Sequence, residues 1–158
     1  MLGHNGYHDG YSTTTHEFAH TIHQYGLSDA DRQIITAAYQ AKRALKTQVQ
    51  WPDGYRLVDP KDPEGDLIDN YSSTNEYEYF AQATNAYLGT NIGADPTTGQ
   101  LRNNYASWIE AHEPALLPIL IRLYGNDPQA ALLPRRTRWT APARRTTSTT
   151  ATAPSGTR

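Results

Sequence analysis

The chain has 158 residues, which is enough for one domain and too short for two of ordinary size. It contains no cysteine, so disulfides and cysteine-ligated metal sites are excluded, and any metal ligands must come from His, Asp or Glu. The net charge of −2 is unevenly distributed: 6 of the 14 basic residues follow Pro134 without any acid, which leaves an acidic body and a basic tail.

The first predicted elements are two helices. One begins in the threonine run at 13–15, whose hydroxyls suit an N-cap, and ends at Gly26 as a left-handed terminator. The second covers about 28–49, where apolar residues recur at helical spacing. A long loop follows, with one short strand expected near 55–58.

Further helices are predicted in the second half of the chain. The third covers about 75–88 and ends near Gly89, a turn-rich segment follows at 91–104, and two more helices cover 105–112 and 114–124. The expected fold class is therefore α+β, mainly α. Glu113 is expected on a solvated helix face.

The composition predicts one folded domain at 1–133 and a disordered basic tail at 134–158, which is rich in Thr, Pro and Arg. No apolar run approaches the roughly 18 residues needed to cross a bilayer. Residues 1–6 do not resemble a signal peptide. The sequence as it stands predicts a soluble protein and does not decide the compartment, since a longer N-terminus could carry a secretion signal.

The strongest chemical signal is an HExxH motif formed by His16, Glu17 and His20 on the first predicted helix. The i, i+4 spacing places both imidazoles on one helix face, where two ring nitrogens can reach one ion about 2.0–2.1 Å away. Glu17 lies next to the first histidine, where it can take a proton from water that the metal activates. These residues predict a zinc site with a general base.

Catalytic zinc usually takes three protein ligands. His23 is the nearest further histidine, but one helix cannot easily wrap three consecutive turns around a single ion, so His23 is expected to pack or to support the site. A carboxylate early in the third helix is the better candidate. Spacing alone does not choose between Glu76 and Glu78.

Together these segments resemble the zinc-binding half of gluzincin metallopeptidases, in particular the anthrax lethal factor-like group, which includes the proline–proline endopeptidases, and the Mlc titration factor A peptidases. In those families a tyrosine follows HExxH and precedes, by seven residues, a glutamate in an Asn-x-x-Glu-aromatic-Phe-Ala context. Tyr71, Glu78 and the segment 75–81 match this pattern. The resemblance covers about residues 13–88 and implies that Glu78 is the third ligand of one zinc ion per chain and that Tyr71 stabilises an oxyanion.

Two positions depart from the family pattern. Gluzincins often carry an acid four residues after the glutamate ligand, where it orients a ligating histidine, and this chain has Gln82, which can still accept a hydrogen bond. The families also place a β-sheet before the HExxH helix, whereas fifteen residues precede His16. The expectation is a gluzincin-like domain whose N-terminal sheet is truncated.

The predicted function is zinc-dependent hydrolysis of peptide bonds in a peptide or protein substrate, with Glu17 as general base. The alternative is a catalytically impaired, zinc-stabilised binding module, in which the truncated front leaves no substrate cleft. No nucleic-acid partner is expected, because the basic tail lacks a folded nucleic-acid motif. The oligomeric state is not readable from the sequence.

Overall fold

Five α-helices and one β-hairpin make up the computed structural model, which describes residues 10–45 and 48–126. The helices are α1 (Thr13–Thr21), α2 (Asp29–Ala44), α3 (Glu76–Tyr87), α4 (Ala106–His112) and α5 (Leu117–Tyr124). The hairpin pairs β1 (Gln50–Trp51) with β2 (Gly54–Tyr55) in antiparallel register. This confirms the prediction of a mainly helical α+β fold. The predicted tail at 134–158 and its boundary lie outside the described residues.

Helix α1 begins at Thr13, in the threonine run as predicted, but its N-cap is the residue before the run. Ser12 is the N-cap, and its hydroxyl accepts a hydrogen bond from the backbone N–H of Thr15 at 3.1 Å. The helix continues through a π-helical turn, Ile22–Gly26, and the backbone N–H of Leu27 closes it by donating to the carbonyl of Ile22 at 3.0 Å. Gly26 therefore does not serve as the left-handed terminator that was predicted, because the wider turn ends the helix without a positive φ.

Helix α2 ends at Ala44, earlier than predicted. Its N-cap is Ser28, as expected, whose hydroxyl accepts from the backbone N–H of Asp31 at 3.2 Å. At Leu45 the backbone becomes extended, and the chain then enters β1, where the side chain of Trp51 is fully buried. Burial of this large indole outweighs the helical propensity of the residues before it, since an aromatic side chain contributes a large apolar area.

The predicted strand near 55–58 is present only in part. The chain pairs as β2 over Gly54–Tyr55, and Leu57 then forms a single antiparallel bridge with Ile68. The segment between them is a series of turns. Pro60 and Pro63 explain this interruption, because proline has no backbone N–H with which to donate a hydrogen bond to a neighbouring strand.

Helix α3 lies at the centre of the fold. Every residue from Tyr79 to Tyr87 is buried, and α1, α2 and α4 pack against this helix. The most extensive contact between α-helices joins α1 to α3. This contact places the HExxH face of α1 beside the first turn of α3. None of the helices in the described part of the chain combines the length and the apolar character that crossing a bilayer requires.

Glu113 is buried at 4% exposure, contrary to the expected solvated face. Its carboxylate pairs with the Lys42 ammonium and accepts a hydrogen bond from the Tyr79 hydroxyl. The Lys42 ammonium also lies over the ring of Trp51, 5.3 Å from its centroid. Lys42 and Tyr79 come from α2 and α3, whereas Glu113 lies in the α4–α5 connection, so no local pattern in the sequence indicates that the carboxylate is buried.

Candidate metal centre

His16 and His20 lie on one face of α1, as the i, i+4 spacing predicted. Their Nε2 atoms are 3.0 Å apart, and the rings meet edge to face at 88°. His16 is almost completely buried, whereas the His20 side chain is 27% exposed. One ligand position is thus fixed by the core and the other lies near the surface.

Glu78 completes the group from the first turn of α3. Its Oε2 atom lies 3.1 Å from His16 Nε2 and 3.5 Å from His20 Nε2. Asn75, the N-cap of α3, holds this turn by accepting hydrogen bonds from the backbone N–H groups of Tyr77 and Glu78, both at 3.0 Å. The two candidate carboxylates are thereby distinguished: among the described residues, His16, His20 and Glu78 form a group that could hold a metal ion (the candidate metal-binding group), and Glu76 is not part of it. On a helix, positions two apart point in different directions.

The separations within this group are close to those expected around a tetrahedral ion, although two of them are slightly shorter. Zinc bonds of about 2.0–2.2 Å place neighbouring tetrahedral ligand atoms about 3.3–3.6 Å apart. The observed separations are 3.0, 3.1 and 3.5 Å. In addition, the buried Oε2 of Glu78 receives no properly aligned hydrogen bond from the described residues, although both imidazoles are close. His16, His20 and Glu78 could therefore together hold a metal ion.

The electrostatics favour an ionised Glu78. Burial alone would raise the pKa of this carboxyl, but interactions with His16, Tyr71 and His20 outweigh burial and lower the pKa below its ordinary value. A carboxylate that is ionised at neutral pH is the form that binds a metal.

Tyr71 lies beside the candidate metal-binding group. Its ring stacks on His16, with centroids 5.6 Å apart and an interplanar angle of 23°, and the interaction of its side chain with Glu78 helps to lower the pKa of that carboxyl. A 3-10 turn, Tyr71–Ser73, positions the residue, and its backbone N–H donates to both carboxylate oxygens of Asp95 at 3.3 Å. The structure thus brings together the tyrosine and the glutamate that the sequence placed seven residues apart.

Glu17 is exposed on α1 and borders two different depressions of the protein surface. On one side is a shallow depression bounded by Thr13, Thr14, Phe18 and Thr21. On the other is a more enclosed cleft of about 180 Å³, lined by Tyr11, Thr13, His16, Glu17, Tyr71, Pro96 and Arg102. The predicted general base, one predicted ligand and the predicted oxyanion donor therefore share one small cleft.

Arg102 is the charged residue of this cleft that sequence reasoning missed. It lies in the segment 91–104, which was predicted only as turn-rich. The one available signal was weak: Arg102 is the only basic residue between Lys61 and Arg122. Tyr11 and Pro96 were missed as well, because nothing local connects them with the HExxH helix.

His23 and Gln82, two residues considered as possible supports for the metal ligands, are both buried. His23 is buried against Tyr77 and Phe80, with ring centroids 4.9 and 5.5 Å away, which confirms packing rather than metal ligation. Burial, only partly offset by Glu76, lowers the pKa of His23. Gln82 is fully buried, but its amide forms no hydrogen bond with the described residues, so the expected bond to a ligating histidine is not made.

Comparison with known proteins adds no relative: no family model matches the chain, and neither the curated proteins nor the solved structures include a match.

Proposed function

We propose that the chain is a zinc-dependent peptidase of the gluzincin type. The observation that carries the proposal is the convergence of His16, His20 and Glu78 from two helices, with ligating atoms all within 4.8 Å of one another. Two imidazoles and one carboxylate are a donor set typical of catalytic zinc, which keeps its fourth position for water or substrate. The likeness of the HExxH and Asn-x-x-Glu segments to gluzincins supports the same conclusion.

The general base is Glu17. When bound, zinc acts as a Lewis acid that acidifies water and polarises a carbonyl. The Glu17 carboxylate takes one proton from the attacking water, whose oxygen bonds to the scissile carbonyl carbon. As the carbon–nitrogen bond breaks, Glu17 passes this proton to the leaving nitrogen, so that the products are a carboxylic acid and an amine. A purely structural zinc site has no need for a carboxylate at this position.

The Tyr71 hydroxyl is the oxyanion donor. The side chain of Tyr71 interacts with Glu78 of the candidate metal-binding group, and its ring stacks on His16. A phenol in this position donates to the substrate oxygen as negative charge develops there, a contact that strengthens in the transition state.

Peptide-library cleavage by zinc-loaded protein tests the proposal. We expect the wild-type protein to cleave library peptides, and we expect cleavage to stop when a chelator removes zinc. Glu17→Ala should retain zinc and lose about 10²–10⁴-fold in turnover, the contribution typical of a general base. Glu76→Ala is the matched control, since Glu76 lies outside the candidate metal-binding group, and this variant should cleave normally.

Two results would contradict the proposal. Full activity in Glu17→Ala would remove Glu17 as the base. A wild-type protein that binds one zinc per chain but cleaves no library peptide would instead support the zinc-stabilised binding module.

A further inference from the structure

Arg102 forms part of the wall of the cleft that contains His16, Glu17 and Tyr71. Its side chain is only 6% exposed, which is unusual for an arginine. The proposed chemistry of bond cleavage does not use this residue. Because this buried guanidinium lies in the same cleft as the proposed catalytic base, we asked whether it binds part of the substrate.

The guanidinium is held rigidly from two sides. Its Nε donates to Asp53 Oδ1 at 2.9 Å, and Asp53 is fully buried in the turn of the β1–β2 hairpin. The backbone N–H of Asp53 in turn donates to Ser72 Oγ at 3.2 Å. On another side the guanidinium carbon lies 4.4 Å from the ring centroid of Tyr11, a cation–π contact. Arg102 is therefore anchored before any ligand binds.

The remaining donors of Arg102 are not used by the described residues. The arginine side chain has five N–H donors, and the one side-chain hydrogen bond of Arg102 to the described residues uses Nε. Neither Nη atom is among the fully buried polar atoms without a partner, and Arg102 lines the cleft. A guanidinium edge with free donors has the geometry that binds a carboxylate through two parallel hydrogen bonds.

Nearby acids do not block this edge. Asp53 is bound at Nε. Asp95, a carboxylate of the same region, accepts hydrogen bonds from the backbone N–H groups of Tyr71, Thr97 and Thr98, which offset its charge. The Nη atoms of Arg102 therefore have no acidic partner among the described residues.

We propose that Arg102 selects substrates that place a carboxylate next to the scissile bond. This inference rests on the proposed peptidase function and names its substrate class. The cleft volume of about 180 Å³ is below the roughly 300–1,000 Å³ of pockets that enclose whole small-molecule ligands, so it admits about one residue. The carboxylate belongs either to an Asp or Glu side chain or to the C-terminus of a short peptide.

The test uses zinc-loaded protein and matched peptides. One set differs only by Glu or Gln at each position around the cleavage site, and a second set has free or amidated C-termini. Selectivity is read as the ratio of kcat/KM within each pair, and in the Glu17→Ala background as the ratio of Kd by calorimetry. The first set reports on a side-chain carboxylate and the second on a terminal one.

Three variants isolate the guanidinium. Arg102→Gln removes it, and Asp53→Asn combined with Arg102→Gln removes both buried charges, which keeps the test valid if the single variant does not fold. The matched control is Arg56→Gln, because Arg56 also donates from Nε to a carboxylate, Asp69, at 2.7 Å and is 7% exposed, but does not line this cleft.

We expect the wild type to prefer the carboxylate peptide of one set by about 10-fold to 100-fold, the range of a hydrogen bond to a charged group. Both Arg102 variants should lose this preference and still cleave neutral peptides, and Arg56→Gln should keep it. A wild type without preference, or a preference that survives Arg102→Gln, would overturn the proposal. If the Glu17→Ala protein binds carboxylate peptides selectively while the wild type cleaves none, the selectivity stands and the peptidase function fails.

Discussion

At the scale of single residues, the central feature is the mutual approach of three atoms that can each ligate a metal ion. His16 Nε2, His20 Nε2 and Glu78 Oε2 lie within 3.5 Å of one another in a partly buried position. A single shared proton cannot satisfy all three atoms, whereas one cation at their centre can. A metal ion bound to these three atoms would stabilise the folded chain, so that metal binding and folding would be coupled.

Tyr71→Phe tests the tyrosine at the same scale. Removing the hydroxyl should lower kcat by about 10²–10³-fold, as the loss of one oxyanion donor does, with a smaller change in KM. Zinc content should stay at the wild-type level, because Tyr71 is not a ligand. Tyr77→Phe is the control, since Tyr77 is an exposed tyrosine near the start of α3. This variant should cleave peptides at the wild-type rate. An unchanged kcat in Tyr71→Phe would end the oxyanion role.

Residue identities were predicted best where a short spacing carries the chemistry. The HExxH spacing placed two imidazoles on one helix face, and the structure confirms this. The choice between Glu76 and Glu78 needed the family resemblance, because helix position relative to a second helix is not encoded locally. Arg102 and Asp53 were missed for the same reason: 49 positions separate them in the chain, and the fold brings them together.

At the scale of elements, the geometry of the candidate centre depends on how α3 begins. Asn75 caps the helix, and its side chain accepts a hydrogen bond from the backbone N–H of Glu78 itself. The first turn of α3 is thereby fixed beside α1. The sequence predicted helix positions well, but the exact ends depended on tertiary packing, as the early stop of α2 before the buried Trp51 shows.

Asn75→Ala tests this coupling between cap and site. It should destabilise the protein by about 1 kcal/mol, the usual cost of losing a cap, and also weaken zinc binding because the Glu78 turn loosens. Ser28→Ala removes the corresponding cap of α2 and should cost similar stability without affecting zinc. Denaturant unfolding and zinc titration measure the two effects. Equal zinc affinities in the two variants would show that the cap does not position the ligand.

At the scale of the whole molecule, buried charge links the parts of the fold. Asp53 in the hairpin pairs with Arg102, and Glu113 between α4 and α5 pairs with Lys42 of α2. These long-range pairs join segments that lie far apart in the chain. No sequence pattern predicts them, because each partner taken alone resembles an ordinary surface charge.

Asp53 should give the stability a measurable pH dependence. Burial, opposed by Arg102 and assisted by Asp95, raises its pKa from 3.8 to about 6. Between about pH 4 and pH 6, Asp53 is therefore protonated in the folded state but ionised in the unfolded state. The contribution of Asp53 to stability is greatest below about pH 4 and declines by on the order of 2–3 kcal/mol as the pH rises through about 6.

The comparison of wild type with Asp53→Asn isolates this effect. Denaturant unfolding of both proteins from about pH 4 to pH 7 should show the wild type losing stability relative to the variant as the pH rises. Parallel stability curves would mean that Asp53 titrates alike in the folded and unfolded states.

Metal stoichiometry tests the central claim most directly. Tag-free protein is supplied with zinc, dialysed at neutral pH and analysed by elemental mass spectrometry, with circular dichroism to confirm folding. We expect about one zinc per chain in the wild type and in Glu76→Gln. Glu78→Gln should bind zinc more than about 100-fold more weakly, beyond the effect of losing an outer partner. A folded wild type that retains no zinc, or equal zinc contents in Glu76→Gln and Glu78→Gln, would contradict the proposed site.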